Sequence, residues 1–198
     1  MRQANLFFEE ESPEKIPGLN YFAGYISGAD EKILLEEIDR QPWLSDLKRR
    51  VQHYGYKYDY KARGVARDSY LGPLPPWLSR ISEKLYRDKI FPMLPDQIIV
   101  NEYIPGQGIS AHIDCVPCFG DTVASLSVGS GCVMEFSNSK KGRIQDLFLE
   151  QRSLVVLSDL ARYEWMHAIP ARKSDIIGSI KIARQRRVSL TFRNVIVD

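Results

Sequence analysis

Residues 101–114 read NEYIPGQGISAHID, and this stretch decides how the chain is built. Within it His112 and Asp114 stand two apart. Side chains two apart on a strand leave the same face. His112 and Asp114 therefore point one way, and an imidazole beside a carboxylate suits a divalent first-row metal. Outward from this segment the chain is β-rich. Runs at Ile98–Tyr103, Thr122–Val128, Cys132–Phe136, Ser153–Leu157 and Val188–Val197 alternate with Gly, Pro, Asn, Ser and Asp. Several short strands so punctuated predict a barrel or sandwich.

The half before Gln97 has a different character. Ser27-Gly28-Ala29-Asp30 reads as a helix start, with Ile33, Leu34 and Ile38 at helical spacing. Pro75-Pro76 opens a second helix that carries Trp77, Leu78, Ile81 and Leu85 on one face. Between them, VQHYGYKYDYKARG (51–64) places tyrosines at 54, 56, 58 and 60. Their alternation predicts a β-ribbon showing its rings on one side, either as sheet packing or as a platform for a flat ligand.

The whole is an ordinary globular chain. It has 198 residues, 44% hydrophobic and 26% charged, with a formal net charge of +2, which predicts one domain. No apolar run approaches the ~20 residues needed to span a bilayer. MRQANLFFEEESPEK lacks the pattern of a secretory signal, so a cytoplasmic, non-membrane protein is expected. Cys115, Cys118 and Cys132 are expected as reduced structural thiols; a zinc site at the C-x-x-C would need further ligands. Two local basic clusters, Lys48-Arg49-Arg50 and Arg184-Gln185-Arg186-Arg187, can meet phosphates or simply be solvated.

A lone H-x-D also arises as a surface histidine beside a turn aspartate, so a third ligand matters. The remaining histidines are His53 and His167, and His167 falls inside the β-rich half. Two histidines and one carboxylate on one face of a metal form the set found in non-haem iron oxygenases. RVSLTFRN (187–194) adds weight. Arg187, Ser189, Thr191 and Arg193 share one face of this strand, opposite Val188, Leu190 and Phe192. Two arginines turned into a small core are costly unless each meets an anion. A dicarboxylate fits, because a guanidinium grips a carboxylate through two parallel hydrogen bonds. Asn101 and Tyr103 share a face and offer neutral donors to the same ligand.

These residues make the chain resemble the AlkB family of 2-oxoglutarate- and Fe(II)-dependent dioxygenases. The likeness runs from about Leu44 to Asn194. N-x-Y-x-P-G (Asn101, Tyr103, Pro105, Gly106) precedes H-x-D (His112, Asp114), His167 matches the distal metal histidine, and Arg187 to Arg193 match R-x(5)-R. The resemblance implies an α+β fold: a double-stranded β-helix, or jelly-roll, core at 97–198. Helices and a nucleotide-recognition lid at about 46–70 would occupy 1–96. It implies Fe(II) on His112, Asp114 and His167, and 2-oxoglutarate on Asn101, Tyr103, Arg187, Ser189 and Arg193. Within that set Arg187 and Tyr103 would take the distal carboxylate. O2 would be the second co-substrate, with succinate and carbon dioxide released as a C–H bond is hydroxylated. A carboxylate at 114 implies hydroxylation, whereas Ala or Gly there would free a position for halide.

The resemblance also gives the tyrosine segment a role, since Gly55, Tyr56 and Tyr58 match a lid G-Y-x-Y. Tyr54, Tyr56 and Tyr58 are then expected to hold a base. Arg49 stands where a lid tryptophan is expected, Val116 where a second acid follows H-x-D, and Ser189 where an asparagine lies between the arginines. The activity implied is oxidative dealkylation of N-alkylated bases in DNA or RNA by a monomer. A second branch, hydroxylating a modified wobble uridine of tRNA, is resembled by VQHYGYKYDY, by S-L-S-x-G-S (125–130) and by P-x-R-K (170–173). A protein side-chain hydroxylase or demethylase shares the same ligands. A non-catalytic metal-binding barrel would have no use for two arginines.

Overall fold

The computed structural model describes residues 15–45 and 47–196. The signal-peptide reading of the first fourteen residues, and the end of the strand expected to reach Val197, lie outside these. In chain order the elements are β1 (Leu19–Phe22), α1 (Gly28–Arg40), β2 (Val51–Tyr54), α2 (Pro76–Arg87), β3 (Gln97–Tyr103), β4 (Ile109–His112), β5 (Val123–Gly129) and β6 (Cys132–Asn138). Then come β7 (Arg143–Leu149), β8 (Leu154–Leu157), α3 (Asp159–Tyr163), β9 (Met166–Ile169), β10 (Ser174–Ile177), β11 (Ile180–Ala183) and β12 (Arg187–Arg193).

Six strands form a large antiparallel sheet in the order β1-β8-β5-β12-β3-β2, and four form a smaller one, β4-β9-β6-β7. β10 and β11 make a separate hairpin. One apolar cluster joins α1 and α2 to the outer face of the large sheet, through Leu34, Ile38, Leu78, Ile81 and Leu85 against Ile98, Leu126, Leu190 and Phe192. A second fills the space between the sheets, with Tyr103, Val123 and Val155 on one side and Met134, Phe136 and Ile169 on the other. The molecule is a jelly roll backed by helices, an α+β fold.

Both expected helices form where local chemistry starts them. The Ser27 hydroxyl accepts from the Asp30 amide at 3.1 Å while the Asp30 carboxylate accepts from the Ser27 amide at 3.3 Å, which satisfies two otherwise orphaned donors. Pro76 sits in the first turn of α2, where its missing N–H costs nothing. One assignment changes: Ile33 is exposed, and Leu35 packs on the core in its place. Among the described residues no helix is long and apolar enough to cross a membrane.

The tyrosine ribbon does not form as expected. β2 stops at Tyr54, and the chain turns at Gly55 with φ +75°. A Cβ at Gly55 would lie 1.8 Å from the carbonyl oxygen of Asp96, so only glycine lets the chain leave the sheet here. Gly55→Ala should therefore lower the stability measured by urea unfolding by roughly 2–3 kcal/mol. An unchanged midpoint would mean that the close approach is absent in solution.

Candidate active site

β12 lies between β5 and β3, with Arg187 opposite Tyr103, Ser189 opposite Asn101 and Arg193 opposite Gln97. Its apolar residues Val188, Leu190 and Phe192 join the helix-backed cluster, so the alternate residues face the space between the sheets. The smaller sheet supplies the histidines. β4 pairs with β9 so that His112 sits opposite His167, with an irregularity between Ile109 and His112. Gly108 makes that pairing possible, because a Cβ there would lie 2.1 Å from the Ile169 carbonyl oxygen.

The structure brings His112, Asp114 and His167 together. The two imidazole rings are 4.4 Å apart between centroids, and Nε2 of His167 lies 3.7 Å from Oδ2 of Asp114. The other carboxylate oxygen, Oδ1, accepts from Nη2 of Arg193 at 2.7 Å. Burial alone would raise the Asp114 carboxyl, but Arg193, then His167 and His112, reverse that and hold it far below the usual carboxylate range. Burial pushes His167 down to about 4 against the opposing pull of Asp114, leaving a neutral imidazole at neutral pH. Ionised carboxylate and neutral imidazole are the protonation states in which these groups ligate metals. Among the described residues no three His, Cys, Asp or Glu side chains already stand in ligating geometry as the atoms lie. The donor set nevertheless fits a divalent iron by its chemistry and its convergence.

The arginines carry a signature of their own. Arg193 gives Nη1 to Gln97 at 3.1 Å and lies 4.7 Å over the Phe119 ring, while its buried Nε has no partner. Arg187 gives Nη2 to Ser127 at 2.7 Å and lies 5.5 Å over the Tyr103 ring. Its Nε and Nη1 are also buried and unpartnered. Unsatisfied buried guanidinium donors are costly, and a small dicarboxylate fits as their missing acceptor. The two arginines stand differently, however. A cavity of about 940 Å³ is lined by Asn101, Tyr103, Ser189 and Arg193 together with the three candidate ligands. Arg187 instead borders a small void on which Tyr103 also lies.

The tyrosines divide. Tyr58 and Tyr60 line the cavity, with ring centroids 5.2 Å apart, and Tyr58 lies 5.8 Å from Phe119. Tyr54 turns the other way, edge-on to Trp77 at 5.4 Å, and Tyr56 packs on Tyr70 at 5.0 Å. Of the three tyrosines expected at a base, only Tyr58 faces the cavity, because the turn at Gly55 ends the alternation.

The basic clusters are largely structural. Arg50 and Arg186 both pair with Glu102, and Arg184 pairs with the buried Asp175. Arg49 and Lys48 do line the cavity, and Arg49 donates to Asn101 at 2.8 Å. Cys115 and Cys118, expected as free thiols, are joined as a disulfide: the bend after Asp114, held from inside, brings the two sulfurs together.

Sequence reasoning missed the group that holds this bend. Arg162 on α3 is 2% exposed and donates to the carbonyls of Asp114 (3.0 Å), Cys115 (3.2 Å) and Phe119 (3.4 Å). α3 also leads directly into the strand that carries His167, so Arg162 couples the two arms of the candidate site. Its neighbours on α3 include the exposed Asp159 and Tyr163, so nothing in the sequence marks Arg162 as buried or names its acceptors.

Comparison with known proteins accords with this geometry. The family model described as "2OG-Fe(II) oxygenase superfamily" matches residues 38–193. An Arabidopsis thaliana protein named alkylated DNA repair protein ALKBH8 homolog is 38% identical over 93% of this chain and 60% of its own length. The chain is an AlkB-family 2OG-Fe(II) oxygenase. As such it uses Fe(II), 2-oxoglutarate and O2. Uncharacterized protein L905 of Acanthamoeba polyphaga mimivirus is 36% identical over 96% of this chain and 91% of its own. The mouse tRNA (carboxymethyluridine(34)-5-O)-methyltransferase ALKBH8 is 37% identical over 90% of this chain, which spans only 30% of it. The solved structure of OsALKBH1 shares the fold, with a TM-score of 0.71 at 17% identity over 91% of this chain and 98% of that one.

Two substitutions test the site. Asp114→Ala should abolish iron binding and succinate release while the circular dichroism spectrum stays native; ordinary turnover would refute the ligand assignment. Arg193→Ala should raise the 2-oxoglutarate requirement about tenfold or more, the scale of a lost charged hydrogen bond. An unchanged requirement would move the anion site elsewhere.

Proposed function

We propose that this AlkB-family oxygenase hydroxylates a carbon attached to a nucleic-acid base, and that the base is a modified wobble uridine of tRNA. The observation that carries the nucleic-acid part is the pair Tyr58 and Tyr60, set in one cavity with His112, Asp114 and His167. Flat rings suit an unstacked base, and Lys48, Arg49 and Arg63 on the same cavity suit its phosphates.

Bound iron with 2-oxoglutarate and O2 supplies the oxidising equivalent. This chain's residues do the rest. His112, Asp114 and His167 would hold the metal, and Arg193 would steady Asp114 while taking a co-substrate carboxylate, helped by Asn101, Tyr103 and Ser189. Arg187 would support the distal end from behind the Tyr103 ring. Tyr58 and Tyr60 would orient the base and keep water off it.

One site permits two outcomes, and the bond next to the hydroxylated carbon decides between them. A carbon on nitrogen becomes a hemiaminal that splits to an aldehyde and a bare base, which is dealkylation. A carbon on carbon, such as the first atom of a uridine C5 substituent, becomes a stable alcohol. Relatives whose names refer to tRNA carboxymethyluridine(34) are 35–37% identical. The relative named DNA N6-methyl adenine demethylase, from Caenorhabditis elegans, is 28% identical. The Arabidopsis relative named for alkylated DNA repair is 38% identical, so identity alone does not separate the readings. Three relatives that carry the wobble uridine in their names support the uridine reading, with oxidative dealkylation of DNA or RNA as the second.

The test measures succinate and aldehyde with tRNA bearing a carboxymethyl-type wobble uridine, methylated DNA, methylated RNA and methylated peptide. Succinate stimulated by tRNA without aldehyde supports the proposal. Aldehyde with methylated DNA or RNA would replace it with dealkylation, and stimulation by peptide alone would remove nucleic acid altogether. Tyr58→Ala should lower substrate-stimulated turnover about tenfold, as loss of one stacking ring does, with substrate-free decarboxylation retained. Equal loss of both would make Tyr58 a structural residue.

A further inference from the structure

The C-x-x-C after Asp114 belongs to none of the roles above, yet it touches the segment that carries the cavity tyrosines. Cys115 is half-buried and Cys118 is 7% exposed. Both sulfurs lie against one atom of another part of the chain. Sγ of Cys115 is 3.4 Å, and Sγ of Cys118 3.7 Å, from the carbonyl oxygen of Arg63. Arg63 sits in the left-handed region at φ +55°, in a turn closed by paired hydrogen bonds between Asp59 and Gly64 at 2.9 and 3.2 Å. That turn contains Tyr60 and directly follows Tyr58. The C-x-x-C bend is therefore where the tyrosine-bearing turn meets the β-core.

Oxidation state changes what the bend can offer. A thiol is a weak hydrogen-bond donor, and either Cys115 or Cys118 as a thiol can donate to the Arg63 carbonyl. A disulfide has no hydrogen to give. The bend's own backbone is fixed separately, since the Arg162 guanidinium holds the carbonyls of Asp114, Cys115 and Phe119. A change at the sulfurs is thus directed outward to the turn rather than inward to Asp114.

We propose that Cys115 and Cys118 are a reversible oxidation site that sets how firmly the tyrosine-bearing turn is held over the cavity, tightly as the dithiol and loosely as the disulfide. The oxidant is a low-molecular-weight disulfide. The thiolate of the more accessible Cys115 attacks one of its sulfurs, breaking that S–S bond and releasing one thiolate. The Cys118 thiolate then attacks Cys115 Sγ, closing the internal disulfide and releasing the second. The pair loses two electrons and two protons, and the small disulfide gains them as two thiols. The buried Cys132 takes no part.

The experiment uses the full chain, oxidised with glutathione disulfide or reduced with dithiothreitol, each state verified by mass after thiol alkylation. Limited trypsin cuts after Lys61 and Arg63, both exposed, and reports on the turn without any catalytic assay. Cleavage at these sites should be about three- to tenfold faster in the disulfide form, the scale of one lost hydrogen bond. The Cys115→Ser/Cys118→Ser double variant should show one rate under both treatments, and Cys132→Ser should retain the wild-type difference. Equal rates for the two wild-type states would overturn the proposal. So would failure of glutathione disulfide to close the Cys115–Cys118 bond.

Discussion

The contact between Arg193 and Asp114 is the constraint on which the candidate site depends. Arg193 belongs to the large sheet, and Asp114 follows the last strand-edge residues of the small one. Both are about 8% exposed. Neither charge can stay in that position alone, because an isolated buried ion carries a desolvation cost of several kcal/mol. The pair therefore ties the two sheets together where the candidate metal ligands converge. It also gives the carboxylate a partner that keeps it ionised, whatever else occupies the site.

Arg162 completes this arrangement from below. Buried arginines are tolerated when every hydrogen finds an acceptor, and Arg162 finds backbone carbonyls along the 114–119 bend. The bend is in effect built around a cation. Asp114 is then restrained twice, by Arg193 at its carboxylate and by Arg162 at its backbone. This division of labour explains how a residue outside any strand keeps its orientation.

Much of this was legible in the sequence, for identifiable reasons. The alternation in RVSLTFRN fixed which side chains of β12 face inward, because its apolar half had only one place to go, under α1 and α2. The helix starts at Ser27 and Pro76 were legible because capping is local chemistry. What depended on tertiary contact was not. β7 and β9 are not evident as strands because each is half-polar, and their places are set by the strands beside them, β6 for β7 and both β4 and β6 for β9. Period-two spacing does not carry across Gly55, whose left-handed turn interrupts it, and so of the four alternating tyrosines Tyr58 and Tyr60 reach the cavity while Tyr54 and Tyr56 pack elsewhere. Arg162 could not be found, since its acceptors are backbone atoms that carry no residue identity.

The position of Tyr103 bears on how a dicarboxylate is accommodated. Its ring lies under Arg187 and within 5.8 Å of the Arg49 guanidinium, and its phenol is pushed up by burial, so it remains a neutral donor. An anion at the far end of the cavity thus meets hydroxyl and amide donors directly, with Arg187 screened behind the ring and Arg49 anchored to Asn101. At the near end it meets Arg193, whose charge is already shared with Asp114. The cations around the cavity are thus each partly committed elsewhere, Arg193 to Asp114 and Arg49 to Asn101. Of the two arginines with orphaned donors, Arg193 lies on the cavity and Arg187 stands outside it behind Tyr103, so a diacid placed there would meet Arg193 directly and feel Arg187 only through the Tyr103 ring.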